Sequence, residues 1–249
     1  MKLVFIAAIG DFRMRQGLAA KTFSQLRFLR ETGLEILPLI VLDIASREDF
    51  ERRYPREKAV FIEGYHKGSI SSVLSYQHRL YTELRDRLSG QTFDYIYMRY
   101  PDSDWNLASF ASKFSGKIVF EHHAKELEAL AALCSGGPLP HKLHACLELI
   151  SERTFSRSVL KHAAACIGVT EEIAIYEKAR SGRPALAAAA IANGTDCSQF
   201  PLRTAPAFDG KQIRLLLVAD IRPYHGLDRL LRSLSIYSGP FHFQLHVAG

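Results

Sequence analysis

Three consecutive residues, Glu121, His122 and His123 in "IVFEHHAKELE", carry the densest chemistry in the chain. A carboxylate beside imidazoles offers acid, base and hydrogen-bond chemistry near neutral pH. Glu126 follows three residues later. Adjacent histidines lack the one-face spacing of HExxH and no third ligand is evident, so no metal is expected. Arg99, in "FDYIYMRYP", can clamp a carboxylate, a phosphate or a sugar hydroxyl, or can form an ion pair that fixes a loop. Gly10 and Gly17 bracket Arg13 and Arg15. The glycines allow a backbone to approach a ligand and the arginines can meet phosphate, although the spacing is not GxGxxG. In "VADIRPYHGLDR", Gly226 opens a helix after a strand, so free backbone N–H groups can face an anion. Arg222 and His225 add donors or positive charge, and a diphosphate is the natural partner. No Walker A motif is present.

Each group falls where a strand hands over to a helix. "KLVFIAAI" is apolar without alternation and reads as a strand buried on both faces. The helix after it places Phe23, Leu26 and Leu29 toward a sheet and Lys21, Gln25 and Arg27 toward water, and Gly33 ends it. "LEILPLIVL", "AVFIEG", "FDYIYMRYP", "GKIVFEHH", "AAACIGVT" and "LAAAAIANG" read as further strands. A helix with Val73, Tyr76, Leu80, Leu84 and Leu88 on one stripe precedes "FDYIYMRYP". Asp104 or Ser103 caps the next helix, and Thr170 caps the one that begins "TEEIAIYEKAR". The alternation predicts an α/β fold with a doubly wound parallel sheet, whose ligands bind beyond the carboxyl ends of the strands.

Residues 197–212, with Pro201 and Pro206, read as a crossover. A strand from Ile213 to Ala219, a helix from Gly226 to Leu234 and a strand in "FHFQLHVAG" then begin a second unit. The expected division is a first domain over residues 1–205 and the incomplete start of a second over residues 206–249.

Hydrophobic residues make up 47% and charged residues 23% of the 249, which excludes a disordered or fibrous chain. The net charge of +6 suits anionic lipid, nucleic acid or phosphorylated ligands, or simply a basic surface. No zinc-finger spacing or polybasic run supports nucleic-acid binding. Cys134, Cys146, Cys166 and Cys197 match no metal pattern and read as reduced thiols in a cytoplasmic protein. No apolar run approaches the roughly 18 residues of a membrane span.

With these segments in view, the chain resembles the retaining family 4 glycosyltransferases, particularly the bacterial surface-polysaccharide members. The likeness rests on "YIYMRYP", "IVFEHHAKELE", "CIGVTEEI" followed by "IANGTD", and "LVADIRPYHGLDRLL" running to "LHVAG". It implies a GT-B-like fold: a Rossmann-like N-terminal domain with a parallel sheet, then the start of a second Rossmann-like domain. It also implies sugar transfer with retention from a nucleotide-sugar donor to a glycan or lipid-linked acceptor, in cell-surface polysaccharide synthesis. Neither metal nor organic cofactor is implied, since the nucleotide sugar is a substrate. The likeness places His122 or His123 near the donor sugar, with Arg99 and Glu126 nearby and the Asn193-Gly194 turn at the domain junction. Many members carry Gly-Arg and Lys-Gly where this chain has Ala219-Asp220 and His225-Gly226, which leaves Arg222 as the candidate cation. The family's paired donor-site glutamates would lie beyond Gly249, so the polypeptide is expected to be catalytically incompetent alone. A non-catalytic module that binds a glycan or partner is the alternative. An epimerase or dehydrogenase of the common kinds finds no GxGxxG or YxxxK pair here. Positive charge at Arg13 and Arg15 suits peripheral contact with an anionic membrane at its cytoplasmic face.

Overall fold

A computed structural model describes residues 1–13, 15–63, 70–135, 139–194, 210–218 and 226–248. It divides into two compact units, Met1–Gly194 and Thr195–Gly249. The expected boundary at 205/206 falls among residues 195–209, outside the described residues, as do Ala219, Arg222 and His225.

In the first unit, strands β1 (Lys2–Gly10), β2 (Glu35–Asp43), β3 (Ala59–Ile62), β4 (Tyr95–Arg99), β5 (Ile118–His122), β6 (Ala163–Gly168) and β7 (Ala187–Ala190) alternate with helices. The helices are α1 (Gln16–Glu31), α2 (Arg47–Arg53), α3 (Ile70–Leu88), α4 (Trp105–Lys113), α5 (Glu126–Ser135), α6 (Leu139–Leu160) and α7 (Glu171–Ser181). The sheet order is β3-β2-β1-β4-β5-β6-β7, and every pairing is parallel. The chain therefore winds outward from β1 to β3, returns to β4, and winds out on the other side. The crevice at this reversal, over the carboxyl ends of β1 and β4, is where such sheets bind ligands.

Alternation along each strand feeds two cores. In β1, Phe5, Ala7 and Ile9 pack with Ala19, Leu26 and Phe50 on one face, while Val4 and Ile6 join Leu84, Phe110 and Phe120 on the other. Burying each such large apolar side chain stabilises by about 1.5–3 kcal/mol, so both faces must be covered. The α3 stripe is buried at Tyr76, Leu80, Leu84 and Leu88, and the side chain of Val73 lies outside the described residues.

Pro38 sits within β2, whose pairing with β3 begins only at Ile40, so its missing N–H faces no β3 partner. Helix α2 covers "REDFERR", and its single buried residue is Phe50. Asp104 accepts from Leu107 N (2.7 Å) to cap α4, and Thr170 accepts from Ile173 N (3.3 Å) to cap α7, as anticipated.

The second unit is built from parallel strands β8 (Gln212–Val218) and β9 (His242–Ala248) with helix α8 (Leu227–Ser235) between them in sequence. Alternate residues of β8, namely Ile213, Leu215 and Leu217, are half-buried, and no residue of α8 is fully buried. Gly226 precedes α8 with a φ of 69°, a left-handed conformation that favours glycine.

Candidate functional site

Period-two alternation at the end of β5 sends Glu121 to the α1 face of the sheet and His122 to the opposite face. Glu121, only 5% exposed, is held by four side chains. Lys21 Nζ donates to its Oε1 (2.7 Å), Tyr97 OH to its Oε2 (2.8 Å) and Gln25 Nε2 to its Oε2 (3.2 Å), while His123 Nε2 lies 2.9 Å from Oε1. Burial alone would raise the Glu121 carboxyl, but the hydrogen bonds from His123, Lys21 and Tyr97 overcome it and hold the group well below the ordinary carboxylate range. Glu121 is therefore an anion across the physiological range and cannot serve there as an acid.

Lys21 is the hub of this arrangement. Besides Glu121, its ammonium donates to Asn193 Oδ1 (2.6 Å) and lies 3.0 Å from His123 Nε2. An ammonium only donates and a carboxylate only accepts. His123 Nε2 can thus serve one of its two neighbours at a time: protonated, it donates to Glu121; unprotonated, it accepts from Lys21. Sequence patterning sent Lys21 and Gln25 to water, and the structure corrects this. Side chains on a helix lean toward its N-terminus, which for α1 is the carboxyl edge of the sheet. Lys21 and Gln25 stand three and seven residues after Leu18, and all three border one hollow. That spacing was the available signal.

The hollow is also bordered by Phe5, Tyr97 and Arg99, and its volume of about 30 Å³ holds at most a couple of waters. Arg99, at the end of β4, is exposed beside it. Gly10 ends β1 with a φ of 68°. Gly17 stands in the first turn of α1 instead of in the loop, with open space where a Cβ would project. Arg15 precedes α1 and is exposed. Arg13 is tied to Asp49 of α2, so its charge is already engaged.

His122 has a different environment. It is fully buried, stacked on Tyr100 at 4.3 Å between ring centroids, and neither ring nitrogen has a hydrogen-bond partner among the described residues. Its Nδ1 is 3.6 Å from Glu177 Oε2. Burial first, then the charges of Arg180 and His123, push its pKa well below the ordinary value, so the ring is neutral. The adjacent histidines are thus separated: His123 joins Glu121 and Lys21, and His122 belongs to the packing beneath.

Arg180 pairs there with Glu152 and Glu177, and Glu152 also accepts from Tyr100 OH (2.9 Å) and Ser103 N (2.6 Å). This network ties the loop after β4 to α6 and α7. Glu126, in the first turn of α5, borders it. Burial, then the charges of Asp102, Glu152 and Glu177, push its pKa up to about 8, so it is mostly protonated at neutral pH. Patterning missed Tyr97, Gln25 and Lys21 because their roles depend on which strands lie side by side.

No family model matches the chain, and no curated protein does. Among solved structures, one described as a UDP-N-acetylglucosamine 2-epimerase from Listeria monocytogenes superposes with a TM-score of 0.50 at 13% identity. The match covers 98% of this chain and 62% of that one. The fold is GT-B-like. At this identity the likeness is one of architecture, with residue roles left to the chemistry of the site. The chain spans 62% of the length of that protein. No described helix is long and apolar enough to cross a membrane.

Proposed function

We propose that the chain acts in a retaining sugar transfer from a nucleotide sugar, with its first unit on the acceptor side and its second on the donor side. The observation that carries the reading is the Lys21–Glu121–His123 constellation beside Arg99, at the reversal point of a doubly wound sheet. A UDP-sugar named for a protein of like architecture supports the ligand class.

In this reading His123 contacts sugar hydroxyls, Glu121 holds His123 and Lys21 in place, and Arg99 and Arg15 meet anionic oxygens. Glu126, protonated near neutral pH, donates a hydrogen bond. Gly17 leaves room for a ligand against the start of α1. Gly226, Arg222 and His225 of the second unit are assigned to the diphosphate, where N–H groups and cations stabilise a leaving anion. The nucleotide sugar is a substrate, so neither metal nor cofactor takes part. The acceptor is a glycan or lipid-linked glycan in surface-polysaccharide synthesis.

A second reading, a module that binds glycan without turnover, is favoured by the mutual satisfaction of Lys21, Glu121 and His123. Proton NMR of the chain with a panel of nucleotide sugars and glycan acceptors separates these readings. Binding of both a nucleotide sugar and a glycan acceptor supports the transferase reading, and acceptor binding without nucleotide-sugar binding supports the module. Failure to bind either ligand class refutes both. His123→Ala is expected to weaken sugar binding at least about tenfold, the loss of roughly one charge-assisted hydrogen bond. His122→Phe, which keeps the stack on Tyr100, is expected to leave binding unchanged.

A further inference from the structure

Helix α6 runs back along the sheet to β6, and its level is fixed by two hydrogen bonds. Ser151 Oγ donates to Ser103 O (2.7 Å) and Ser103 N donates to Glu152 (2.6 Å), just past the carboxyl end of β4. Leu139–Ile150 therefore stand beyond that edge, about 18 Å of helix at 1.5 Å per residue. This half presents Leu139, Leu143, Leu147 and Ile150, which are 68%, 57%, 44% and 61% exposed. They recur at four-, four- and three-residue steps and so share one face. Leu133 on α5, 38% exposed, adds to the apolar surface of the α5–α6 pair.

Farther down α6, the exposed charges are Arg153 and Arg157. Among the described exposed residues of α6, none is acidic. The helix thus grades from an apolar tip to a basic base. That order matches acyl chains below and anionic headgroups above, the pattern of a segment lying in a bilayer interface.

We infer that the projecting half of α6 is a membrane-contact surface that seats in a bilayer containing anionic lipids and turns the carboxyl edge of the sheet toward it. The inference is independent of the proposed sugar chemistry. It also moves the membrane contact away from Arg13, whose charge Asp49 engages. A second copy of the chain fits this face poorly. Stable interfaces take about 20–30 residues a side, whereas this patch offers five large apolar groups, and in a face-to-face pair the described exposed residues of α6 would bring no acid to Arg153 and Arg157.

The test is co-sedimentation of the full chain with vesicles of phosphatidylcholine alone and of phosphatidylcholine mixed with phosphatidylglycerol. The expected result is binding to the mixed vesicles that weakens as salt rises. The exposed double variant Leu143→Glu/Ile150→Glu is expected to bind at least about tenfold more weakly with an unchanged Tm. Arg153→Glu is expected to lose more binding than the charge-matched control Lys58→Glu. The inference is overturned if the wild-type chain ignores both vesicles at low salt, or if the double variant binds as well as wild type. It is also overturned if the wild-type chain is a dimer by sedimentation velocity that the double variant converts to monomer, since α6 would then be a self-interface.

Discussion

At the residue scale, Glu121 shows how a buried charge is kept. Its carboxylate stays ionised because Lys21, Tyr97, Gln25 and His123 all converge on it. Lys21→Met removes one donor and is expected to cost about 1–3 kcal/mol in urea unfolding, the penalty for an under-satisfied buried acceptor. Adding Glu121→Gln should recover part of that cost, because the unmatched charge goes with it; a fully additive double mutant would show that the pair is not coupled.

Glu126 makes a prediction of opposite sign. Its pKa rises from 4.5 to about 8 in the folded chain, so between these values the folded state holds a proton that the unfolded state has released. Stability from this group is complete below about 4.5 and is lost as pH rises toward 8. His122, depressed below 6.5, acts in the reverse sense at lower pH, where the unfolded chain gains a proton that the buried ring refuses. Burial likewise pushes Glu177 up to about 7, in the same sense as Glu126, so the clean window is pH 7 to about 8. Wild-type Tm should fall across it, and Glu126→Gln should flatten the fall. An equal slope in both proteins, followed by differential scanning fluorimetry, would remove Glu126 from the account.

At the element scale, the site depends on tight turns from strand to helix. A Cβ on Gly168 would lie 2.3 Å from Ala174 N and 2.6 Å from Thr170 O, so the β6–α7 turn closes only around a hydrogen. Gly168→Ala is expected to destabilise by about 1–3 kcal/mol through overpacking. Gly17 is the contrasting case, since a Cβ there meets nothing within 4 Å. Gly17→Ala should leave stability unchanged or raise it by up to about 1 kcal/mol. If a ligand approaches α1 at this point, the same change should weaken binding. Thermal melts paired with calorimetric titration of a nucleotide sugar separate the two effects. Unchanged titration would place the ligand elsewhere.

At the scale of the whole molecule, the two units differ in how much they can bury. Met1–Gly194 holds a seven-stranded sheet whose central strands are covered on both faces. The described residues of 195–249 form a two-stranded sheet on which Leu216 and Val218 remain 71% and 72% exposed. A two-stranded sheet is marginal by itself. Residues 1–194 expressed alone are expected to melt in one cooperative transition, and residues 195–249 alone to lack one. Far-UV circular dichroism on the two fragments checks this. A cooperative melt of the short fragment would show that it buries more apolar surface than its two-stranded sheet accounts for.

The order of strands and helices was legible in the residues because local pattern carries it: apolar runs such as "KLVFIAAI", the caps Asp104 and Thr170, and Gly33 after the first helix. The strand ends holding Arg99, Glu121 and His123 could be read for the same reason, since period and punctuation fix where an element stops. Three-dimensional packing decided what those ends do. Alternation separates His122 from its neighbours, but neighbouring positions cannot reveal that His122 stacks on Tyr100 while His123 stands beside Lys21. Nor could they reveal that a lysine of the first helix would reach Glu121 and Asn193. Such contacts join residues 100 and 172 positions apart, and it is the lateral order of the strands that brings them together.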